Sequence, residues 1–282
     1  MSKIIVAIDF SECSINAFLH ALSIAQHCSN DIILIWVEKP SSEKDKFEKI
    51  AGNPAGEVKK QFEELIRKYQ PELKGKITYK LRTGTVYKEI TKEAKESKAT
   101  LIIAGTHGAS GFEEFWIGSN ANKIVSASPC PVITIRAGIN IIRPLTKIVL
   151  PIDKTVETRQ KATFTGYLAK KHDAEVHILS LYTSSVKAIR QDVNIYAGQV
   201  ELYYQQEGVK YQMASMVCNN ISDAMIEYAK KIEANLISIM TEQESTTSNL
   251  WMGPYAHQTV NHSPIPVLSI HSKETYAVGA GF

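Results

Sequence analysis

Ser2-Lys-Ile-Ile-Val-Ala-Ile-Asp9 is a short apolar run that stops on a carboxylate, and the chain spells it again as Thr146-Lys-Ile-Val-Leu-Pro-Ile-Asp153, an offset of 144 residues. A second pair of segments, Gly118 to Arg136 and Gly253 to His271, keeps Gly, Ala, Val, Ser-Pro, Pro-Val and Ile at equivalent places with an offset of 135. Two matches in the same order identify a duplicated unit, and the drop in offset means that the second copy has lost loop or helix length.

Working outward, Ile4 to Ile8 and Ile32 to Val37 are continuous apolar runs of the kind that fills a strand buried on both faces of a parallel sheet. Between them Phe18, Ala21, Leu22 and Ala25 recur at helical spacing over residues 11–28, with Ser11 or Ser14 placed to cap the first turn. Further strands are expected at 77–81, 101–104 and up to 135, with helices ending near 69 and spanning 86–96. The second unit repeats the order, with strands near 148–152, 176–181, 211–217, 236–239 and 267–270. Strictly alternating strands and helices require right-handed crossovers. The fold class is therefore α/β, two tandem doubly wound domains, each a mainly parallel five-stranded Rossmann-like sheet between helices. With 282 residues, 44% of them apolar, each half is long enough to bury a core of its own. Gly138 and Pro144 punctuate the join, which gives domains at 1–140 and 145–272 and a tail at 273–282.

Composition narrows the partners. The net charge is +3 and basic residues alternate with acidic ones, as in Lys92-Glu93 and Lys95-Glu96, so there is no cationic stripe for nucleic acid. No apolar run reaches the roughly 20 residues that cross a bilayer, and the first strand begins at once without a signal-peptide pattern. A cytoplasmic protein with no membrane partner is expected. Cys13, Cys28, Cys130 and Cys218 have neither CxxC spacing nor a cluster of histidines beside them, and they read as buried thiols rather than disulfides or a zinc site. No metal site is expected.

In open α/β sheets, ligands bind outside the carboxyl ends of the strands. At one such end, after Leu101-Ile-Ile-Ala104, the chain reads Gly105-Thr-His-Gly108, then nine residues, then Gly118-Ser119 at the start of a helix. Glycines after a strand let the backbone approach a ligand, and the free N–H groups and dipole of a helix start favour an anion. Phosphate is the natural guest of this G-x2-G-x9-G-S spacing. Asp9, at the end of the first strand, is placed to accept hydrogen bonds from ribose or base. Its plainer reading is a helix-capping or Asx-turn residue.

These features together resemble the universal stress protein family in its tandem form. The resemblance is carried by Val6-Ala-Ile-Asp9 followed by Ser11, by Ile102-Ile-Ala-Gly-Thr-His-Gly108, by Gly118-Ser119 and by Ser128-Pro-Cys-Pro-Val132. It implies a five-stranded parallel sheet paired through its last strand. In the ATP-binding branch it implies Ala7, Ile8, Asp9 and the main chain at Val37 on the ribose and adenine side. Gly105, Gly108, Gly118, Ser119 and Asn120 would then hold the phosphates, and His107 between them is either a contact to phosphate or ribose or a plain polar loop residue. The implied ligand is ATP, or AMP or ADP, and the implied role is a nucleotide-dependent sensor or switch in stress response. Glu113 and Glu114 lie where ATP-binding relatives often place a basic residue. They would repel a triphosphate unless a divalent cation such as Mg2+ intervenes or they point away.

The second copy has lost the motif. Met240 stands opposite Gly105, Gln243 opposite Gly108 and Pro254 opposite Ser119, leaving only Gly253. Side chains now block the approach and Pro254 removes a donor. No ATP is expected there. Nor is an enzyme expected: there is no GxxxxGK[ST], no GxSxG elbow, and no pair of close histidines with glycine at the first strand end. At most slow ATP hydrolysis would follow; a non-binding interaction module is the first alternative to the sensor, and a weak ATPase or nucleotidyl-transfer enzyme of related fold is the second. Because each half should present the same sheet edge and the linker is short, the two halves are expected to pair within one chain, with a homodimer as the alternative.

Overall fold

Lys3–Ala7 (β1) is buried along its centre on both faces, as its unbroken apolar sequence requires. The computed structural model describes residues 2–38, 54–106, 119–136, 144–241 and 254–272. In the first half, β1, β2 (Asp31–Glu38), β3 (Ile77–Thr83), β4 (Leu101–Gly105) and β5 (Val132–Ile135) alternate with α1 (Glu12–Cys28), α2 (Pro54–Tyr69), α3 (Val86–Glu96) and α4 (Ser119–Ala127). In the second, β6 (Lys147–Ile152), β7 (Glu175–Tyr182), β8 (Tyr211–Val217), β9 (Leu236–Thr241) and β10 (Val267–His271) alternate with α5 (Lys161–His172), α6 (Lys187–Glu207), α7 (Ile221–Lys231) and α8 (Pro254–His262). The starts of β1 and β6, and of β2 and β7, are 144 residues apart, whereas β3 and β8 start 134 apart. The lost length therefore lies between the second and third strands.

Local chemistry sets the helix ends. Ser11 caps α1 by accepting the Ser14 N–H at 3.3 Å, and Ser29 closes it in the left-handed region at φ 52°. Asn220 caps α7 through the N–H groups of Ser222 and Asp223. Pro254 opens α8, where a missing N–H costs nothing.

The strand order is β3-β2-β1-β4-β5-β10-β9-β6-β7-β8. All neighbours within each half are parallel. The halves meet at β5 and β10, which pair antiparallel with Ile133 opposite Leu268. Those two residues are equivalent under the repeat, and the flanking pairs Val132–Ser269 and Thr134–Val267 are symmetric about them. The contact is thus self-complementary about a pseudo-twofold axis, and it uses up one edge of each five-stranded sheet. Two apolar layers run through both halves, one under α1, α2, α5 and α6 and the other under α3, α4, α7 and α8.

One departure from symmetry follows from a single residue. Ala7 of β1 pairs with Ala104 of β4, but the matching β6–β9 register holds only Ile148–Leu236 and Val149–Ile237. Pro151 occupies the place of Ala7 and has no N–H to give β9, so that ladder ends early. Among the described residues no helix is long and apolar enough to cross a membrane.

Candidate functional site

Ala7 is in register with Ile35 on one side and Ala104 on the other. The Ile8 N–H then donates to the Ile35 carbonyl at 2.9 Å. Asp9 and Val37 each lie two residues beyond the Ala7–Ile35 pair, and Gly105 lies one beyond Ala104. Ala7, Ile8, Asp9, Val37 and Gly105 therefore converge on the carboxyl ends of β2, β1 and β4, at the point where the strand order reverses. The Ile8 side chain is buried in the core beneath α1, which leaves its main chain at the crevice. Asp9 is exposed.

A hydrogen-bonded turn fixes Asp9. Its Oδ1 accepts the Ser11 N–H at 3.1 Å and the Ser11 hydroxyl at 2.5 Å, while its own N–H donates to Ser14 Oγ at 3.3 Å. The second half repeats the turn: Asp153 Oδ1 accepts from Thr155 N–H at 2.8 Å and Thr155 Oγ1 at 2.6 Å, and Asp153 N–H donates to Thr158 Oγ1 at 3.3 Å. Each carboxylate thus has a capping task in its own half, and any ligand contact at Asp9 is added to it.

Gly105 has a reason that the sequence did not disclose. Its backbone does not adopt a positive φ. A Cβ built there would lie 2.8 Å from Cys13 Sγ and 3.0–3.1 Å from the Cys13 main chain. The glycine lets the first turn of α1 press onto the end of β4, where Cys13 Sγ donates to the Ile135 carbonyl at 3.0 Å. Cys13 is therefore part of the floor of the crevice.

Ser119 and Asn120 open α4, the helix that follows β4. His107, Gly108 and Gly118, with Glu113 and Glu114, lie outside the described residues, as do Gln243, Gly253 and the tail at 273–282. Among the described residues no group of three or more His, Cys, Asp or Glu side chains could hold a metal. None of the four cysteines is in a disulfide; Cys13 and Cys130 are buried and Cys28 and Cys218 partly so. A groove of about 400 Å³ lined by Lys3, Asp31, Lys76 and Glu93 lies at the opposite, amino ends of β1 to β3. It is remote from the crevice.

The corresponding end of the second half is built differently. Met240, the next-to-last residue of β9, stands at the offset of Gly105, the last residue of β4, and Tyr255 takes the place of Asn120. Burial, with Asp153 and Cys218 near it, pushes the Tyr255 phenol far up, and its hydroxyl donates to Met225 Sδ at 3.4 Å. Lys161 stands at the offset of Ala17 and is 2% exposed. Its ammonium donates to the Thr158 carbonyl at 2.7 Å and to Thr158 Oγ1 at 3.0 Å, with no carboxylate at ion-pair distance among the described residues. Burial lowers its pKa to about 8, against the pull of Asp153. Lys161 and Phe10, whose backbone lies at φ 62°, escaped sequence reasoning. For Lys161 the signal was available, because the 144-residue offset sets a lysine against a core alanine.

A family model described as the universal stress protein family matches residues 1–136 and again 144–271. Universal stress protein MJ0531 of Methanocaldococcus jannaschii is 28% identical over 145 residues, 48% of this chain and 81% of the relative. Universal stress protein YxiE of Bacillus subtilis is 27% identical over 146 residues, 48% of this chain and 99% of the relative. A crystal structure of a universal stress protein from Archaeoglobus fulgidus superposes with a TM-score of 0.77 at 18% identity, covering 95% of this chain and 98% of that one, which speaks to the fold alone.

Proposed function

The chain belongs to the universal stress protein family, and on that premise we propose that its first half binds an adenine nucleotide and acts as a nucleotide-dependent switch. The observation that carries this is the difference between two strand ends that share one scaffold. Both halves build the same aspartate turn, but only the first ends its fourth strand on glycine and carries the G-x2-G-x9-G-S spacing, whereas the second carries Met240, Pro254, Tyr255 and a buried ammonium. An exposed carboxylate at the end of β1 suits the hydroxyl donors of a ribose, so the residues present fit a nucleoside.

In this reading Asp9, with the main chain of Ala7, Ile8 and Val37, takes the ribose and adenine. Gly105, His107, Gly108, Gly118, Ser119 and Asn120 take the phosphates. Glu113 and Glu114 make ATP binding dependent on Mg2+, and AMP or ADP compete for the site. No residue is assigned a catalytic role. The second half serves as a structural partner, and the pairing of β5 with β10 supports association within one chain over association between chains.

Mass spectrometry of small molecules released from the purified protein, followed by calorimetric titration with ATP, ADP and AMP with and without Mg2+, tests the reading. Adenine nucleotide should be found, and Asp9→Ala and Gly118→Ala should each weaken binding on the order of tenfold or more. An empty protein whose melting temperature ignores all three nucleotides would instead identify a non-binding interaction module.

A further inference from the structure

We propose that Phe10 is a positioning residue of the nucleotide site, and that it makes helix α2 the element that responds when the site fills. The inference rests on the nucleotide reading given above.

Phe10 follows Asp9 directly and lies at φ 62°. The left-handed region sets Cβ against the neighbouring carbonyl, and a bulky residue there is an outlier that the surrounding structure must hold in place. An aromatic chain holds it. The Phe10 ring centroid is 4.9 Å from that of Phe62, at 58° between planes, and Phe62 in turn stacks on Tyr79 at 4.9 Å and 8°. Phe62 is fully buried and belongs to α2, and Tyr79 belongs to β3. The residue beside the ligand carboxylate is thus clamped to the outer helix of the first half.

The aspartate turn itself does not require this conformation. In the second half Thr155 makes the same two bonds to Asp153, yet Lys154 at the position of Phe10 is exposed and is not among the residues of positive φ. Met213 stands in the register place of Tyr79. The strained residue and its aromatic clamp therefore occur together, and only in the half that keeps the glycine spacing. A strained peptide between a ligand-binding carboxylate and a packed ring can be biased from either end. A ribose that fixes Asp9 fixes Phe10, and through Phe62 it quiets α2.

Hydrogen exchange read by mass spectrometry, with and without saturating ADP, tests this on the full chain. In the wild type ADP should slow exchange over residues 9–15 and also over 54–69. Phe10→Tyr, which keeps the ring, should preserve both effects. Phe10→Gly adopts the positive φ freely but has no ring, so it should bind ADP on the order of tenfold more weakly. At saturation it should protect residues 9–15 alone. Phe62→Leu, which keeps an apolar side chain in the core, should show the same uncoupling should Phe10→Gly fold poorly. Unchanged affinity in Phe10→Gly, or ADP binding to the wild type with α2 exchange unmoved, overturns the role of Phe10 and leaves the nucleotide site standing. Failure of the wild type to bind any adenine nucleotide overturns both.

Discussion

Acid should loosen the seam between the halves, and two histidines set by how much. His20 of α1 is 6% exposed, and burial together with nearby His172 lowers its pKa to about 4. His172, at the end of α5, is lowered to about 4 by burial and by His27, whose ring lies 4.5 Å away at 32°. The Nε2 atoms of His20 and His172 are buried with no hydrogen-bond partner among the described residues, so protonation brings a charge and nothing to receive it. An unfolded histidine titrates at about 6.5, so below that pH the unfolded chain binds protons that the folded chain refuses, and stability falls as the pH drops toward 4. For one such histidine the loss between pH 7 and pH 5 is about 1.8 kcal/mol. For the pair it is about 3 kcal/mol, because His172 is the less buried of the two. His20→Phe copies Phe164, the residue at the same place in the second half, and His172→Leu removes the other proton site. Urea unfolding at pH 7 and pH 5 should show the double variant keeping about 3 kcal/mol more of its neutral stability than the wild type keeps. Equal acid losses in the two proteins would refute the reasoning.

Two further outcomes follow from contacts already described. Gly105→Ala should lower stability by about 1–3 kcal/mol in thermal melts. Cys13→Ala should restore part of that loss, because it removes the Sγ contact and leaves the main-chain contacts. For Lys161, the folded pKa of about 8 lies below the ordinary value of 10.5, so the unfolded chain holds the extra proton across that window and stability rises with pH through it. Wild-type protein should gain about 2–3 kcal/mol between pH 7 and pH 10 from this group, and Lys161→Met should lose that gain while matching or exceeding wild-type stability at pH 7. A variant that keeps the full alkaline gain would show that other groups cause it.

Much of this fold could be read because its residues obey simple periods. The unbroken apolar runs at β1 and β2 had to be buried strands, and α3 begins at Val86 and ends at Glu96, as its pattern of charged and apolar residues dictates. Asp9 and Gly105 could be set at strand ends from the apolar runs that precede them, whereas Val37 joined them only through the resemblance to the family. What remained hidden depends on contacts between distant segments. Nothing near Gly105 in the sequence announces Cys13, and the left-handed Phe10 packs its ring on Phe62, 52 residues along the chain. Lys161 sits on a helix whose inward face also carries Thr165, hydrogen-bonded to Ser238 at 2.7 Å, so apolar periodicity fails where a polar interior begins. Pro151 was visible as a proline, but its effect on the β6–β9 ladder needed the register.

The antiparallel seam at Ile133 and Leu268 has a consequence for how the two halves can differ. When identical chains pair about a twofold axis, every substitution near the axis occurs twice and must suit both copies. Here the partners share one polypeptide, so each place has two spellings: His20 against Phe164, Ala17 against Lys161, Phe10 against Lys154. The tether also keeps each half at a fixed local concentration of the other. If the halves pair within one chain as proposed, their association is a first-order event, and dilution cannot part them.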